Sequence, residues 1–123
     1  MKVISTETAP AAIGPYSQAI VTNGLVFASG QIPVDPATGA PAGDTIDTQA
    51  EQSCKNVAAI LAAAGSDMTK VVKTTCFLAD MKDFAAFNEV YAAYFTSYPA
   101  RSCVAVKDLP KGAACEIEAI AEK

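Results

Sequence analysis

Two short runs rich in β-branched and aromatic residues, Ser17–Thr22 and Leu25–Ser29, meet across the dipeptide Asn23-Gly24. Asn-Gly readily takes positive φ at both central positions of a two-residue turn, and the twist of that turn matches the strands it joins. The chain is thereby committed to an antiparallel hairpin, and the remaining elements must be arranged about a sheet. Ile13-Gly14-Pro15-Tyr16 reads as a turn leading into the hairpin, and Lys2 to Thr6 as a short edge strand. Gly30-Gln31-Ile32-Pro33 ends the hairpin and opens a long loop carrying Pro36, Gly39, Pro41 and Gly43. Loops of that length, when ordered, often line sites.

Downstream the period changes from two to 3.6. Thr48-Gln49-Ala50-Glu51 reads as a capping box, and Ala50, Cys54, Val57, Ala58 and Leu61 follow on one helical face up to Gly65, which suits a left-handed cap. Cys54 is then a core residue. Val71–Leu78 is β-branched and short, as a strand should be, with Cys76 on the side of Val72, Thr74 and Leu78. Asp80 is placed to cap a second helix, whose Phe84, Phe87, Tyr91, Tyr94 and Phe95 form a core-facing stripe. Pro99 stops that run; a strand around Arg101 and another from Cys115 to Ala121 follow, joined through Asp108-Leu109-Pro110-Lys111-Gly112. The expected fold is α+β in two layers, with two helices on one face of a mostly antiparallel sheet of about six strands.

A length of 123 residues suits one domain, residues 1–123. The net charge is −4 and the lysines are scattered, which weighs against nucleic acid, where neutralised phosphates supply most of the non-specific affinity. The four cysteines form no Cys-x-x-Cys pair, so neither a zinc site nor a disulfide framework is signalled. The N-terminal residues lack the apolar core of a leader and no run has membrane-spanning length; a reducing compartment, most simply the cytosol, is expected. There is no histidine, which removes the usual general base and metal ligand. Any chemistry must be gentle.

The chain has one arginine, Arg101, in the run Pro99-Ala100-Arg101-Ser102-Cys103-Val104-Ala105-Val106. A guanidinium in an apolar strand needs a partner, and its planar fork of donors matches a carboxylate. That carboxylate is either Glu116 or Glu118 of the chain itself or one belonging to a ligand. Period-two alternation puts Arg101, Cys103 and Ala105 on one side and Ser102, Val104 and Val106 on the other, so the charged side is expected to face away from the main core. In the last strand Glu116, Glu118 and Ile120 oppose Cys115, Ile117 and Ala119. Such a mixed second sheet face is most economically covered by another copy, predicting a symmetric homo-oligomer with the site near its interface.

Four segments in one order carry a further signal: Ile13-Gly14-Pro15-Tyr16-Ser17-Gln18, Ala28-Ser29-Gly30-Gln31-Ile32-Pro33, Pro99-Ala100-Arg101-Ser102-Cys103-Val104, and Leu109-Pro110 followed by Glu116-Ile117-Glu118-Ala119. From Thr6 to Ala121 the chain resembles the RidA/YjgF family of reactive intermediate deaminases. The resemblance implies a chorismate-mutase-like fold and a homotrimer with clefts between subunits. It further implies hydrolysis of enamines and imines, such as 2-aminoacrylate and 2-iminopropanoate, to 2-keto acids and ammonia. On this chain Arg101 would hold the substrate carboxylate, and Glu116, not Glu118, would orient or deprotonate water. Cys103 would line the cleft as a spectator thiol, Ser29 and Gly30 would offer a hydroxyl and close backbone approach, Tyr16 an aromatic wall, and Asn88 a further contact. The bland alternatives are an Arg101–Glu116 ion pair, a simple strand end at Ser29 and Gly30, a solvated Asn88 and a surface Tyr16. Two other functions stand beside the deaminase: a non-catalytic module that binds 2-keto acids, and a ribonuclease, which the acidic balance and missing histidine disfavour. An imine is already electrophilic, so carboxylate binding and one positioned water suffice for its hydrolysis, and the resemblance implies no metal or organic cofactor.

Overall fold

Asn23 and Gly24 take φ values of 50° and 75°, the left-handed turn that their identities demand. The turn joins β2 (Ala19–Thr22) to β3 (Leu25–Gln31), with Thr22 opposite Leu25 and Ala19 opposite Ala28. The computed structural model describes all of residues 1–123. Around this hairpin lie β1 (Lys2–Ile4), α1 (Ile46–Ala63), β4 (Val71–Leu78), α2 (Phe84–Tyr94), β5 (Ala100–Ala105) and β6 (Cys115–Glu122). They build one six-stranded sheet in the order β1-β2-β3-β6-β4-β5, with both helices on one face. Every pairing is antiparallel except β4 with β5, which are parallel because α2 carries the chain back to the starting end. The architecture is the expected two-layer α+β fold.

Local chemistry moves two boundaries. The cap of α1 lies three residues before the expected one: Thr45, not Thr48, is the N-cap, its Oγ1 accepting from the Thr48 amide at 3.4 Å. The Thr48 hydroxyl turns back to the Thr45 carbonyl instead, at 3.1 Å. The turn before the helix is tight: Gly43 has φ 79°, and a Cβ there would lie 2.7 Å from Thr48 Oγ1. At the other end Gly65, with φ 82°, closes α1 as expected, its amide donating to Ala62 O and that of Ser66 to Leu61 O. Asp80 caps not α2 itself but a single 3₁₀ turn leading into it, accepting from the Lys82 amide.

In β4 the register with β6 slips between Val71 and Lys73, so Val71 is buried and Val72 points outward at 42% exposure. Val72 therefore does not share a face with Thr74, Cys76 and Leu78, because the bulge reverses the alternation at that point. Beneath the helices the core closes completely: Val57, Ile60 and Leu61 of α1, Phe87 of α2, Phe95, Cys76, Leu78 and Ile117 have no exposure. Cys54 is equally buried, as its helical phase required, and burial drives its thiol far up from the ordinary cysteine range. The opposite sheet face is open, with Phe27 41% and Val104 46% exposed. No helix is long and apolar enough to cross a membrane.

Candidate active site

β5 is an edge strand, and its parallel register sets Arg101 beside Thr74 and Cys103 beside Cys76. Registered residues on neighbouring strands share a face, and Thr74 and Cys76 are fully buried under the helices. Arg101 and Cys103 therefore lie on the helix-covered side, contrary to the expectation from alternation. The reason is the edge: α2 ends the helical layer there, so a long side chain on the covered face still emerges at its rim. The other face of β5, with Ser102 and Val104, is the exposed one.

The guanidinium is held by neutral groups. Arg101 Nη1 donates to Asn88 Oδ1 at 2.8 Å, and its Cζ stands 4.7 Å from the Tyr91 ring centre and 5.6 Å from that of Phe84. The only ion pairs are the surface contacts Lys55–Glu51 and Lys82–Asp80. The alternative pairing of Arg101 with Glu116 or Glu118 is not made, and Asn88 is no mere solvated helix residue. Nor is the α2 aromatic stripe only packing, since two of its rings carry the charge. Cys103 is half-buried next to it; burial raises its thiol while Arg101 opposes the rise, which keeps the sulfur protonated and a poor nucleophile.

A second group of residues gathers around β3 and β6. The β3–β6 ladder is interrupted between Ala28 and Gln31, and Ser29 and Gly30 occupy the break. There the Glu116 carboxylate lies over Gly30 so closely that a Cβ on residue 30 would sit 2.0 Å from its Oε1. Close approach, not unusual backbone conformation, is what requires glycine at this position. Burial, and secondarily Glu118, raises the Glu116 carboxyl above the ordinary value of 4.5. The Ser29 hydroxyl donates to the Ser17 carbonyl at 2.6 Å, tying the break to the segment that leads into β2. Tyr16 is 52% exposed and, with Gly30 and Ile32, lines a depression of about 290 Å³.

The two groups do not meet within one chain. Arg101, Asn88 and Cys103 lie at the helix-covered rim by β5, whereas Glu116 projects from the open face of β6, two strands away. Two strand spacings are roughly 10 Å, and the sheet itself stands between the faces.

Several buried amides that the sequence analysis passed over hold the second group in place. Asn56, 1% exposed, donates to the carbonyls of Ile32 and Val34. Gln49 donates to Gly43 O and accepts from the Ala114 amide, two residues before Glu116. Gln18 ties Thr6 and Pro10 together beside Tyr16. Gln49 and Asn56 occur at i and i+7, in phase with the buried stripe of α1; a polar amide at an apolar phase was the available signal.

The fold and site thus define a class: a two-layer α+β protein with an arginine free of any ion pair at a sheet edge and an acid lying over a glycine. The family model described as endoribonuclease L-PSP matches residues 6–123, and the chain belongs to that family, also known as RidA/YjgF. A 2-iminobutanoate/2-iminopropanoate deaminase of Salmonella typhimurium is 55% identical over 124 residues, covering 98% of this chain and 96% of that protein. A Lactococcus lactis protein named as a regulator, AldR, is 54% identical over 123 residues, covering 99% and 98%. The crystal structure of E. coli TdcF with bound serine superposes with a TM-score of 0.95 at 48% identity, covering 100% of this chain and 99% of that one.

Proposed function

We propose that this protein hydrolyses enamine and imine intermediates, 2-aminoacrylate and 2-iminopropanoate among them, to 2-keto acids and ammonia. The observation that carries this reading is the unneutralised charge of Arg101, which neutral partners hold in a fixed plane with donors to spare. The deaminase named in Salmonella typhimurium and the serine bound to TdcF both concern small molecules with the carboxylate such a fork binds.

Because the two groups of residues lie apart in one chain, the reading assigns each complete site to two copies. Arg101, Asn88 and Cys103 come from one, and Tyr16, Ser29, Gly30 and Glu116 from its neighbour, in a homotrimer whose clefts lie between subunits. Arg101 holds the substrate carboxylate and Asn88 steadies the guanidinium. Glu116 takes a proton from water as the water oxygen bonds to the imine carbon and passes that proton to the imine nitrogen, giving a carbinolamine and restoring the carboxylate. Glu116 then carries the carbinolamine's hydroxyl proton to the amine nitrogen, the C–N bond breaks with its electron pair going to nitrogen, and neutral ammonia leaves as the carbonyl forms. Cys103 takes no covalent part.

The decisive test generates 2-aminoacrylate from serine with a dehydratase and follows keto-acid formation against a semicarbazide trap. Wild type should accelerate the reaction and Arg101→Ala should not, losing about 2 to 5 kcal/mol of binding with its anchor. A rate equal to the protein-free control would sink the enzymatic reading. The relative named as a regulator favours a second reading, in which the same cleft binds a 2-keto acid without turnover. Calorimetric binding without catalysis would select it, and RNA should survive incubation with the purified protein in either case.

A further inference from the structure

We propose that Tyr91 and Thr74 act as positioning residues for substrate binding, as two links of a closed circuit that fixes the plane of the Arg101 guanidinium; this rests on the reading of Arg101 as the carboxylate anchor. Thr74 and Arg101 are register partners in the β4–β5 ladder, so their backbones are fixed relative to one another. The Thr74 hydroxyl, buried with no exposure, is 2.7 Å from the Tyr91 hydroxyl. The Tyr91 ring in turn presents its face to Arg101 Cζ at 4.7 Å. Starting from the arginine backbone, the circuit passes through the ladder, the hydroxyl pair and the ring, and returns to the head of the same side chain.

The ring has little freedom to leave this place. It stacks on Phe95 with 4.4 Å between centres and a 20° tilt, and touches Phe87 at 5.9 Å. Burial raises the Tyr91 phenol, so it stays protonated and retains its bond to Thr74. A long arginine side chain gives up rotamer freedom when it binds, and prior restraint removes part of that cost before substrate arrives. The choice of an aromatic face is also electrostatic. A carboxylate in the place of Tyr91 would restrain Arg101 equally well but would cancel the charge that recognises the ligand, whereas a ring quadrupole attracts the cation and leaves its net charge intact.

The role predicts a particular kinetic pattern, because positioning the carboxylate anchor affects substrate affinity more than the attack on the imine carbon. Thr74→Val keeps shape and removes the hydroxyl pair; Tyr91→Phe keeps the ring and removes the same pair; Tyr91→Leu removes the ring. For the first two, KM for the imine and Kd for 2-oxobutanoate should rise several-fold with kcat changed less than twofold. The Thr74→Val/Tyr91→Phe double variant should be no worse than Thr74→Val alone, since the hydroxyl pair is deleted once and the further contact from Cys76 Sγ to Thr74 Oγ1, at 4.0 Å, is already lost in Thr74→Val. Tyr91→Leu should raise KM and Kd by tenfold or more.

Melting curves establish that each variant is folded. Should Tyr91→Leu fail to fold, the isosteric Thr74→Val with its binding measurement decides alone. Unchanged KM and Kd in a folded Thr74→Val, or a loss confined to kcat, overturns the proposal. The wild-type measurements separate this from failure of the functional reading: no turnover with intact 2-oxobutanoate binding rejects the enzyme but leaves the circuit testable through Kd. If wild type does not bind the keto acid, both the anchor and the circuit built on it are rejected.

Discussion

The charge of Arg101 is left unneutralised because its contacts are an amide oxygen and two rings, and burial, with Glu118 beside it, raises the Glu116 carboxyl. The second condition has a pH signature. A carboxylate base works only when ionised, so its contribution to kcat/KM is lost as pH falls through its folded pKa, which lies above 4.5. The pH–rate profile should show an acidic limb above that value in wild type, and Glu116→Gln should be slower and lack the limb. Gly30 makes a separate prediction, since its missing Cβ leaves the space that Glu116 Oε1 fills. Gly30→Ala should displace the flexible carboxylate without strain elsewhere; kcat should fall on the order of 100-fold for a displacement of about 1 Å, while the melting temperature barely moves. A melting temperature lowered in step with activity would show that the glycine serves the fold instead. At this scale residue types were legible and their partners were not. The single arginine was conspicuous in the chain and Glu116 was set apart from Glu118 only by the family resemblance, but nothing in the spacing connected Arg101 to Tyr91, because that contact depends on where α2 lands against β4 and β5.

Among the elements, α1 does more than cover the sheet. Its buried amides pin the loop after β3 and the entry to β6, the two segments that flank Gly30 and Glu116. Asn56→Ala would leave the Val34 carbonyl without its side-chain donor and the Ile32 carbonyl with only the Val34 amide. The expected cost is about 1 to 3 kcal/mol for a buried group left unsatisfied. It should appear in chemical denaturation as a lower midpoint with unchanged slope, and in hydrogen exchange as faster opening of residues 31 to 43. An unchanged midpoint would mean that water replaces the amide at no cost. The elements themselves were readily anticipated: the Asn-Gly hairpin, the Gly65 helix stop and the strand over 71–78 follow from residues acting on their nearest neighbours. The departures share a cause. Thr45 displaced Thr48 as cap, and Val72 fell out of phase, where a tight turn at Gly43 and a bulge against β6 set the geometry.

For the whole molecule, the separation of Arg101 from Glu116 leads to a prediction about mixtures. Arg101→Ala and Glu116→Gln should each be nearly inactive alone, yet co-refolding equal amounts should restore activity in about a quarter of the clefts, those receiving the intact half from each parent. No recovery beyond the sum of the parents, with mixed assemblies verified by mass, would place both residues' work in one chain. Light scattering should give three times the chain mass, since a neighbour is needed to cover Phe27 and the open sheet face and the unpaired edge of β5. The sequence by itself determined the hairpin, the two-layer class and the residue types able to bind a carboxylate and move a proton, because these depend on period, local turn chemistry and side-chain identity. Only the tertiary structure decided that Arg101 lies on the helix side, that aromatic faces rather than a carboxylate hold it, and that Glu116 lies across the sheet from it. Strand order and edge position are set by contacts between segments far apart in the chain, and no local pattern encodes them.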